Sequence, residues 1–205
     1  MRLEKYAIVY EFIFRCFVFW ATSELALSIS SRHCTLDLES DRAMTDPLGG
    51  EFPMNKITPF LWFDDNAEAV ADYYLSIFPN GRKLNELRAT EAGPGPKGSV
   101  IVLDLELEGQ QVTFLNGGPY NKLSDAFSFV VRCENQQEID MYWAKLTEGG
   151  SETACGWLKD KFGVSWQVVP VHMTKLVSHP AAMKAMMSMK KLDIAALEQA
   201  ASQPQ

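Results

Sequence analysis

The sequence repeats itself once, and this repeat limits the folds available to it. Residues 57–81, ITPFLWFDDNAEAVADYYLSIFPNG, align without a gap with residues 126–150, AFSFVVRCENQQEIDMYWAKLTEGG, at a constant offset of 126 − 57 = 69. The matched pairs are Phe60 with Phe129, Asn66 with Asn135, Val70 with Ile139, Tyr73 with Tyr142, Tyr74 with Trp143, Ile77 with Leu146, and Gly81 with Gly150. Chance similarity between two amphipathic helices is the alternative, and seven matches at one spacing argue against it.

Each copy has the pattern of a strand followed by a helix. A short apolar run opens the copy and predicts a strand. Polar residues follow at 64–66 and at 134–135, where they can cap a helix N-terminus. Apolar residues then recur at i, i+3, i+4 and i+7, from Val70 to Ile77 and from Ile139 to Leu146. That spacing predicts one buried helical face in each copy, and a glycine follows each helix.

Three β-like runs follow each predicted helix. They are Lys83–Ala89, Ser99–Leu107 and Gln111–Asn116 in the first half, and Glu152–Ala154, Gly156–Lys159 and Ser165–Pro170 in the second. Glu108-Gly109 is typical of a tight hairpin turn, and residues 160–163 predict another turn. The sequence therefore predicts an α+β fold made of two βαβββ units.

Composition restricts the partners and the compartment. The chain has 205 residues, 47% of them hydrophobic, and a formal net charge of -7 with a pI of about 5.0. This acidic balance disfavours nucleic acid, because phosphate binding needs Lys and Arg. The cysteines, Cys16, Cys34, Cys133 and Cys155, form no CxxC pair that would indicate a zinc knuckle. Cys133 and Cys155 adjoin apolar runs, so we predict buried free thiols and a cytoplasmic location.

The first 53 residues have a different character from the repeat. Residues 6–20 are very apolar, but Glu11 and Arg15 interrupt them, and a membrane-spanning helix needs about 18 nearly uncharged residues. A secretory signal is an alternative, although a Glu within its apolar region is unusual. Residues 28–53 are polar and turn-rich, like a linker. We predict that residues 1–53 are disordered or not part of the native fold.

The chain therefore divides into three predicted parts. Translation could start at Met1, Met44 or Met54, and regular patterning begins only at Met54. We predict an extension at 1–53, a folded domain at 54–179, and a helical C-terminal tail at 180–205. The tail has helical spacing at Met183, Met186 and Met187, and we expect it to pack on the domain or on a partner subunit.

Several segments between Ile57 and about Ala200 resemble one known family. They read ITPFLWFDDNAEAVADYY, FPN, EAGPGPKGSV, FLNGGP, CGWLKDKFGVSWQVVP and KLDIAALEQA, and the fifth is especially specific. They resemble PhnB-like proteins of the vicinal oxygen chelate superfamily, which includes glyoxalases, extradiol dioxygenases and bleomycin-binding proteins. The PhnB-like family is often labelled by a 3-demethylubiquinone-9 3-methyltransferase domain name. The resemblance implies paired βαβββ modules that enclose a hollow, a ligand on the concave face, and a homodimer.

The resemblance also implies where a metal would be bound. Metal-dependent relatives place His and Glu on the first and last strands of each half. The resemblance places Asn116, Ser128 and Gln167 at ligand positions of those strands, and these residues are neutral and poor ligands for a divalent ion. The histidines, His33, His172 and His179, lie on no predicted cavity strand. We therefore expect no bound metal and no cofactor, so that glyoxalase and dioxygenase chemistry lacks its Lewis acid.

The predicted site combines aromatic and polar side chains, as small-molecule sites do. The candidate pocket residues are Phe60, Trp62, Asn116, Ser128, Trp157 and Gln167. Asp104, Glu106 and Glu108 alternate along one strand, and we interpret them as a solvated strand face. We predict that an unknown small molecule binds the folded domain, and we expect neither a nucleic acid nor a membrane as its partner.

Three functions stay open at this point. The first is a small-molecule-binding protein without metal. The second is an enzyme of the superfamily that uses Asn116, Ser128 and Gln167 as hydrogen-bond donors to an oxyanion or carbonyl. The third is the methyltransferase activity in the family label. Its support is weak, because the glycines at 93–96 and 117–118 fit neither a GxGxxG motif nor a strand-to-helix turn.

Overall fold

The structure is a computed structural model that describes residues 54–93 and 95–203. Its first half consists of β1 (Phe60–Phe63), α1 (Ala67–Ile77), β2 (Arg82–Arg88), β3 (Val100–Leu107) and β4 (Gln110–Asn116). These strands form a sheet in the order β1-β4-β3-β2. β1 runs parallel to β4, and the other pairs are antiparallel. The predicted βαβββ order is therefore confirmed for the first half.

The second half repeats this topology. It consists of β5 (Phe129–Cys133), α2 (Gln136–Thr147), β6 (Ser151–Glu152), β7 (Trp157–Lys159) and β8 (Ser165–Pro170). Its sheet has the order β5-β8-β7-β6, again with one parallel pair, β5 with β8. Both halves thus have the same topology, as the sequence repeat predicted.

One helix covers one face of each sheet. Val70, Tyr74 and Ile77 form the buried stripe of α1, and Leu61 and Phe114 belong to the same core. In α2 the stripe consists of Ile139, Trp143 and Leu146. Removing large side chains of this kind from water supplies about 1.5–3 kcal/mol each, which makes these faces the main source of stability.

The ungapped alignment holds for the helices and fails for the strands before them. In β1, Leu61 and Phe63 are buried, whereas in β5 Cys133 is buried and Val130 is exposed. In these strands Leu61 therefore corresponds to Val131, at an offset of 70. The predicted match of Phe60 with Phe129 was wrong. The first half has one extra residue between strand and helix. A shift of one residue in a strand moves every side chain to the other face.

Contacts between the halves run through their helix-covered sides. The ring of Tyr74 lies 5.1 Å from that of Trp166, and Phe78 stacks on both Trp166 and Tyr142 at 5.4 Å. The Tyr74 hydroxyl donates to Asp160 Oδ2 at 2.5 Å. Aromatic residues and one carboxyl group on the helix-covered sides therefore join the two halves. The expectation that the halves enclose a ligand-binding hollow stays a prediction.

Two predicted turns are present. Glu108 and Gly109 connect β3 to β4 with φ values of 47° and 82°, as a two-residue hairpin with both φ angles positive requires. Residues 160–163 form the second turn, in which the Gly163 amide donates to the Asp160 carbonyl at 3.0 Å. The turn at Glu108 fixes the register of β3 against β4, and this register determines which side chains meet on the sheet.

The C-terminal region forms three short helices that pack on the second half. They are α3 (Met173–Val177), α4 (Pro180–Met187) and α5 (Ile194–Ala201). Leu192 is fully buried, and a Cβ atom on Gly156 would lie 3.0 Å from its side chain. The side chain of Gln136 accepts a hydrogen bond from the backbone N–H of Ile194 at 2.9 Å and donates one to the backbone carbonyl of Leu192 at 3.1 Å. The predicted helical tail is therefore present and docked.

Residues 1–53 lie outside the described residues, so the predicted extension, its signal alternative and the choice of translation start stay predictions. The same holds for the boundaries 54–179 and 180–205. No helix of residues 54–93 and 95–203 is long and apolar enough to cross a membrane.

Candidate functional site

Each sheet has an open face, by which we mean the face that points away from its helix. On the first sheet the strand pairing arranges this face in two parallel rows. One row is Phe60, Thr113, Asp104 and Asn85, and the next is Trp62, Leu115, Val102 and Leu87. The first row is mostly polar and the second is apolar. Because i and i+2 positions lie about 7 Å apart along a strand, one small ligand can contact both rows.

The predicted site residue Trp62 is held in place by the loop after β4. Its indole nitrogen donates to the Gly118 carbonyl at 2.8 Å. A Cβ atom on Gly117 would lie 2.3 Å from the indole ring, so only glycine allows this close approach. Phe60 lies on the same open face and is 59% exposed. These two aromatic side chains form an apolar end of the face.

The open face of the second sheet carries three of the predicted residues. Gln167 donates from its amide nitrogen to Ser128 Oγ at 2.9 Å. Trp157 is opposite Gln167 in the register of β7 against β8. Nearby, Asp125 pairs with Lys159 at 2.6 Å and accepts from Ser165 at 2.9 Å. The lysine ammonium, and secondarily the serine hydroxyl, lower the pKa of Asp125.

Asn116 is placed differently from the other candidates. Its Oδ1 accepts from the Ala67 amide at 2.8 Å, and its Nδ2 donates to the Val100 carbonyl at 3.0 Å. The side chain therefore caps the N-terminus of α1, a function that Asn66 does not perform. This differs from the expectation of a ligand-facing rim, because the position belongs to the helix side of β4. We propose a structural role for Asn116.

The structure brings together some of the predicted residues and not others. Phe60 and Trp62 share the open face of the first sheet, while Ser128, Trp157 and Gln167 share that of the second. Among the described residues, the aromatic and hydrogen-bonded contacts between the halves do not join these two groups. The candidate residues therefore form two groups, one on the open face of each sheet, which are called half-sites below.

Sequence reasoning missed Thr113 and Asp104. The Thr113 hydroxyl donates to Asp104 Oδ1 at 2.6 Å, and Asn85 Nδ2 lies 3.5 Å from Asp104 Oδ2. Asp104 and Glu106 are half-buried on the open face, whereas we predicted a solvated face. The two-residue turn at Glu108-Gly109 was the available signal, because it pairs Asp104 with Thr113 on the strand that carries the predicted site.

The donor set does not fit a divalent metal ion. In the second half, Gln167 of β8 pairs with Val130 of β5. The corresponding pair in the first half is Thr113 of β4 with Phe60 of β1. An amide and hydroxyl groups are weak ligands for a divalent ion. Among residues 54–93 and 95–203, no three His, Cys, Asp or Glu side chains are grouped to hold a metal.

The glycines do not fit a nucleotide-type cofactor site either. Gly93 and Gly95 lie in the connection between β2 and β3, so no helix begins there. Gly117 and Gly118 follow β4 and pack against Trp62 and Tyr120. A cofactor such as S-adenosylmethionine is usually bound where a Gly-rich turn leads from a parallel strand into a helix. Neither glycine pair provides that geometry.

The duplicated βαβββ topology and the two open faces define a protein of the vicinal oxygen chelate class. The family model described as 3-demethylubiquinone-9 3-methyltransferase matches residues 55–169, more than half of the chain. The chain belongs to this PhnB-like family. No curated protein matches the sequence.

Solved structures of several other chains are similar to this one. The PhnB protein of Bacillus cereus is 34% identical, with a TM-score of 0.52 over 56% of this chain and 99% of that one. Protein PA1353 from Pseudomonas aeruginosa is 21% identical, with a TM-score of 0.47 over 57% of this chain and 98% of that one. The fosfomycin resistance protein FosX from Mesorhizobium loti is 10% identical, with a TM-score of 0.46 over 62% of this chain and all of that one.

Proposed function

We propose that the protein binds a small molecule on the open faces of its sheets without a metal ion. The observation that carries this proposal is the combination of ordered polar groups with accessible aromatic rings. Gln167 and Ser128 are joined at 2.9 Å, and Trp62 is held by Gly118 beside the exposed Phe60. Sites for small organic molecules are built from such apolar walls with a few oriented polar groups.

A homodimer is part of this proposal, because the two half-sites lie on different sheets and a second copy would complete each of them. β1 and β5 each lie at one end of their sheet, and the outer edge of each pairs with no strand of the part of the chain that the structure describes. A groove of about 310 Å³ lies between Phe60 of β1 and Ser165 of β8, and a cleft of about 660 Å³ is lined by Val112 of β4 and Val130 of β5, so both cavities involve the two halves of the chain. Phe60 and Val130 are exposed at these edges. A second copy that covers both edges would bring the open face of one chain against that of its partner.

The cytoplasm is the proposed location. Cys133 and Cys155 are both free thiols, and Cys133 is buried. Burial, and secondarily the nearby Glu138 carboxylate, raise the pKa of Cys133 to about 12. Such a thiol is unreactive and acts as an apolar core residue, which suits a reducing compartment.

The first experiment identifies the ligand. Protein purified from its own host is denatured, and the released small molecules are identified by mass spectrometry while elemental analysis measures bound metal. We expect an organic molecule to co-purify and metal to be far below one equivalent per chain. A stoichiometric zinc, nickel or manganese ion that survives dialysis would contradict metal-independent binding.

The second experiment tests the site itself. We expect Gln167→Ala to leave the thermal unfolding profile nearly unchanged and to weaken binding of the identified ligand about tenfold, the loss of one or two hydrogen bonds. Gln137→Ala is the matched control, because Gln137 is an exposed residue on α2. Equal binding by both variants would exclude Gln167 from the site. If the ligand is turned over and only Gln167→Ala abolishes turnover, the enzyme alternative replaces simple binding.

The methyltransferase activity in the family description is the remaining alternative. Calorimetric titration with S-adenosylmethionine tests it directly. We expect no heat of binding, because the glycine turns described above do not lead into helices. A measurable saturable affinity would favour the methyltransferase over the binding protein.

A further inference from the structure

The open face of the first sheet contains a carboxylate that forms no ion pair with any residue of 54–93 or 95–203. Asp104 is half-buried, and its contacts are the Thr113 hydroxyl at 2.6 Å and the Asn85 amide at 3.5 Å. Its neighbour on the same strand, Glu106, pairs with Arg82 at 3.2 Å. Within the part of the chain that the structure describes, no Lys, Arg or His forms an ion pair with Asp104.

This arrangement is unusual on energetic grounds. Partial burial of a carboxylate costs free energy unless donors or a cation compensate for lost water. Thr113 and Asn85 supply neutral donors and hold the carboxylate in one orientation, but they leave its charge unbalanced. The Asn85 contact at 3.5 Å is long for a hydrogen bond, so Asp104 Oδ2 retains capacity to accept a stronger donor.

An apolar surface lies directly beside this carboxylate. Trp62, Leu115, Val102 and Leu87 form the adjacent row, and Leu87 is 47% exposed. Accessible apolar side chains in a row next to an oriented polar group form the pattern of an amphipathic ligand site. When the apolar or planar part of a ligand covers this row, a polar group about 7 Å away on the same ligand can reach Asp104 in the neighbouring row.

We propose that Asp104 binds a protonated amine on a ligand whose apolar part packs on Trp62 and its row. The positive charge of the amine balances the negative charge of Asp104. Its N–H group also replaces the long contact with Asn85 by a charge-assisted hydrogen bond. Trp62 also presents an indole ring, which attracts cations. The inference rests on the proposed function, since it specifies the ligand class for the same open face.

Three matched probes test the ligand class. They are 2-phenylethylamine, the neutral 2-phenylethanol and the anionic 3-phenylpropionate, whose phenyl ring does not interfere with tryptophan emission. Calorimetry measures the affinity of each probe for the full-length protein. The quenching of tryptophan fluorescence is measured in the wild-type protein and in Trp62→Phe, and the difference reports binding beside Trp62. We expect the amine to bind about tenfold more tightly than the alcohol, and the carboxylate to bind least, because a hydrogen bond between charged groups exceeds a neutral one.

The variant Asp104→Asn and a control separate Asp104 from general charge effects. In Asp104→Asn we expect the amine and the alcohol to bind with about equal affinity, while the affinity for the alcohol stays as in the wild-type protein. Asp72→Asn removes the same charge from an exposed helix position and is expected to keep the preference. Should Asp104→Asn fold poorly, added salt must still weaken the amine and not the alcohol in the wild-type protein.

The outcomes distinguish this inference from the proposed function. Equal affinities of amine and alcohol, with Trp62 quenched by both, would overturn the amine inference and leave small-molecule binding at the face intact. A preference for the amine that persists in Asp104→Asn would also overturn it. If none of the probes binds, the inference fails, and the co-purification experiment decides the proposed function independently.

Discussion

Asp160 joins the second half to the first through its hydrogen bond with Tyr74. It is 3% exposed, and its carboxyl group accepts from the Tyr74 hydroxyl at 2.5 Å and the Trp166 indole nitrogen at 3.0 Å. It also accepts from the backbone amides of Phe162 and Val164 at 2.9 and 3.0 Å. Four donors on one buried side chain satisfy its hydrogen-bonding capacity, so each lost donor is expected to be costly.

Replacing Tyr74 by Phe tests this network. The ring stays buried, but one hydrogen bond to a carboxylate is lost, so we expect unfolding free energy to fall by about 2 kcal/mol. Denaturant unfolding at neutral pH measures the change. Tyr73→Phe is the control, because the Tyr73 hydroxyl donates to a backbone carbonyl, that of Lys145, at a less buried position. An equal or larger loss for Tyr73→Phe would contradict the central role of Asp160.

The same tyrosine predicts a response to alkaline pH. Burial, followed by the neighbouring Asp160, raises the pKa of Tyr74 well above its ordinary value of 10.0. The unfolded chain therefore loses its proton first, and stability that is present below pH 10 declines as the pH rises above it. We expect Tyr74→Phe to decline less steeply between pH 10 and pH 11 in denaturant titrations. Parallel slopes for both proteins would show that Tyr74 does not contribute.

At the scale of elements, the two helices begin in different ways. Asn135 caps α2 with its own side chain, which accepts from the Glu138 amide at 3.0 Å. At the start of α1, Asn66 makes no such bond, and the cap comes from Asn116 on β4. The capping function predicted for residues 64–66 is thus supplied from a strand distant in sequence, which ties the helix to its sheet.

Alanine substitutions at the two asparagines separate these functions. We expect Asn116→Ala to reduce unfolding free energy by about 1–2 kcal/mol, because it removes a helix cap and a bond to Val100 together. Asn66→Ala is expected to cost less than about 0.5 kcal/mol, as for a position without a cap bond. Chemical unfolding measures both. The reverse order would contradict the cap that Asn116 provides for α1.

The docked tail is expected to respond to acid. The Lys191 ammonium, and secondarily the Gln136 amide, hold the pKa of Asp140 below its ordinary value of 3.8. The contribution of this pair to stability is therefore present above that pH and lost as the pH falls through the lowered value. We expect Asp140→Asn to be less stable than wild type at pH 7 and equal to it near pH 2. A difference that is the same at both pH values would contradict this pairing.

At the scale of the whole molecule, the proposed function includes a homodimer. We expect light scattering to give the mass of a dimer, and we expect Val130→Lys at the open edge of β5 to shift it to a monomer, because a buried unpaired lysine is costly. Val171→Lys is the matched control, since Val171 is 41% exposed and Val130 39%. A dimer that tolerates Val130→Lys would place the interface elsewhere.

The strand and helix order of both halves follows from the sequence alone. The helical stripes from Val70 to Ile77 and from Ile139 to Leu146, the hairpin turn at Glu108-Gly109 and the family are readable because they depend on local spacing and on turn conformation. For the same reason Phe60, Trp62, Ser128, Trp157 and Gln167 could be nominated for open strand faces before any coordinates were known.

Only the tertiary structure decided what these faces meet. The one-residue difference between β1 and β5, the cap that Asn116 gives to α1, and the position of Asp104 beside Thr113 all depend on how strands far apart in sequence align. The packing of Tyr74 and Phe78 against Trp166, which joins the two halves, also depends on long-range contacts. The spacing of apolar residues predicts which side of a helix or strand is buried. What that side packs against depends on the tertiary structure.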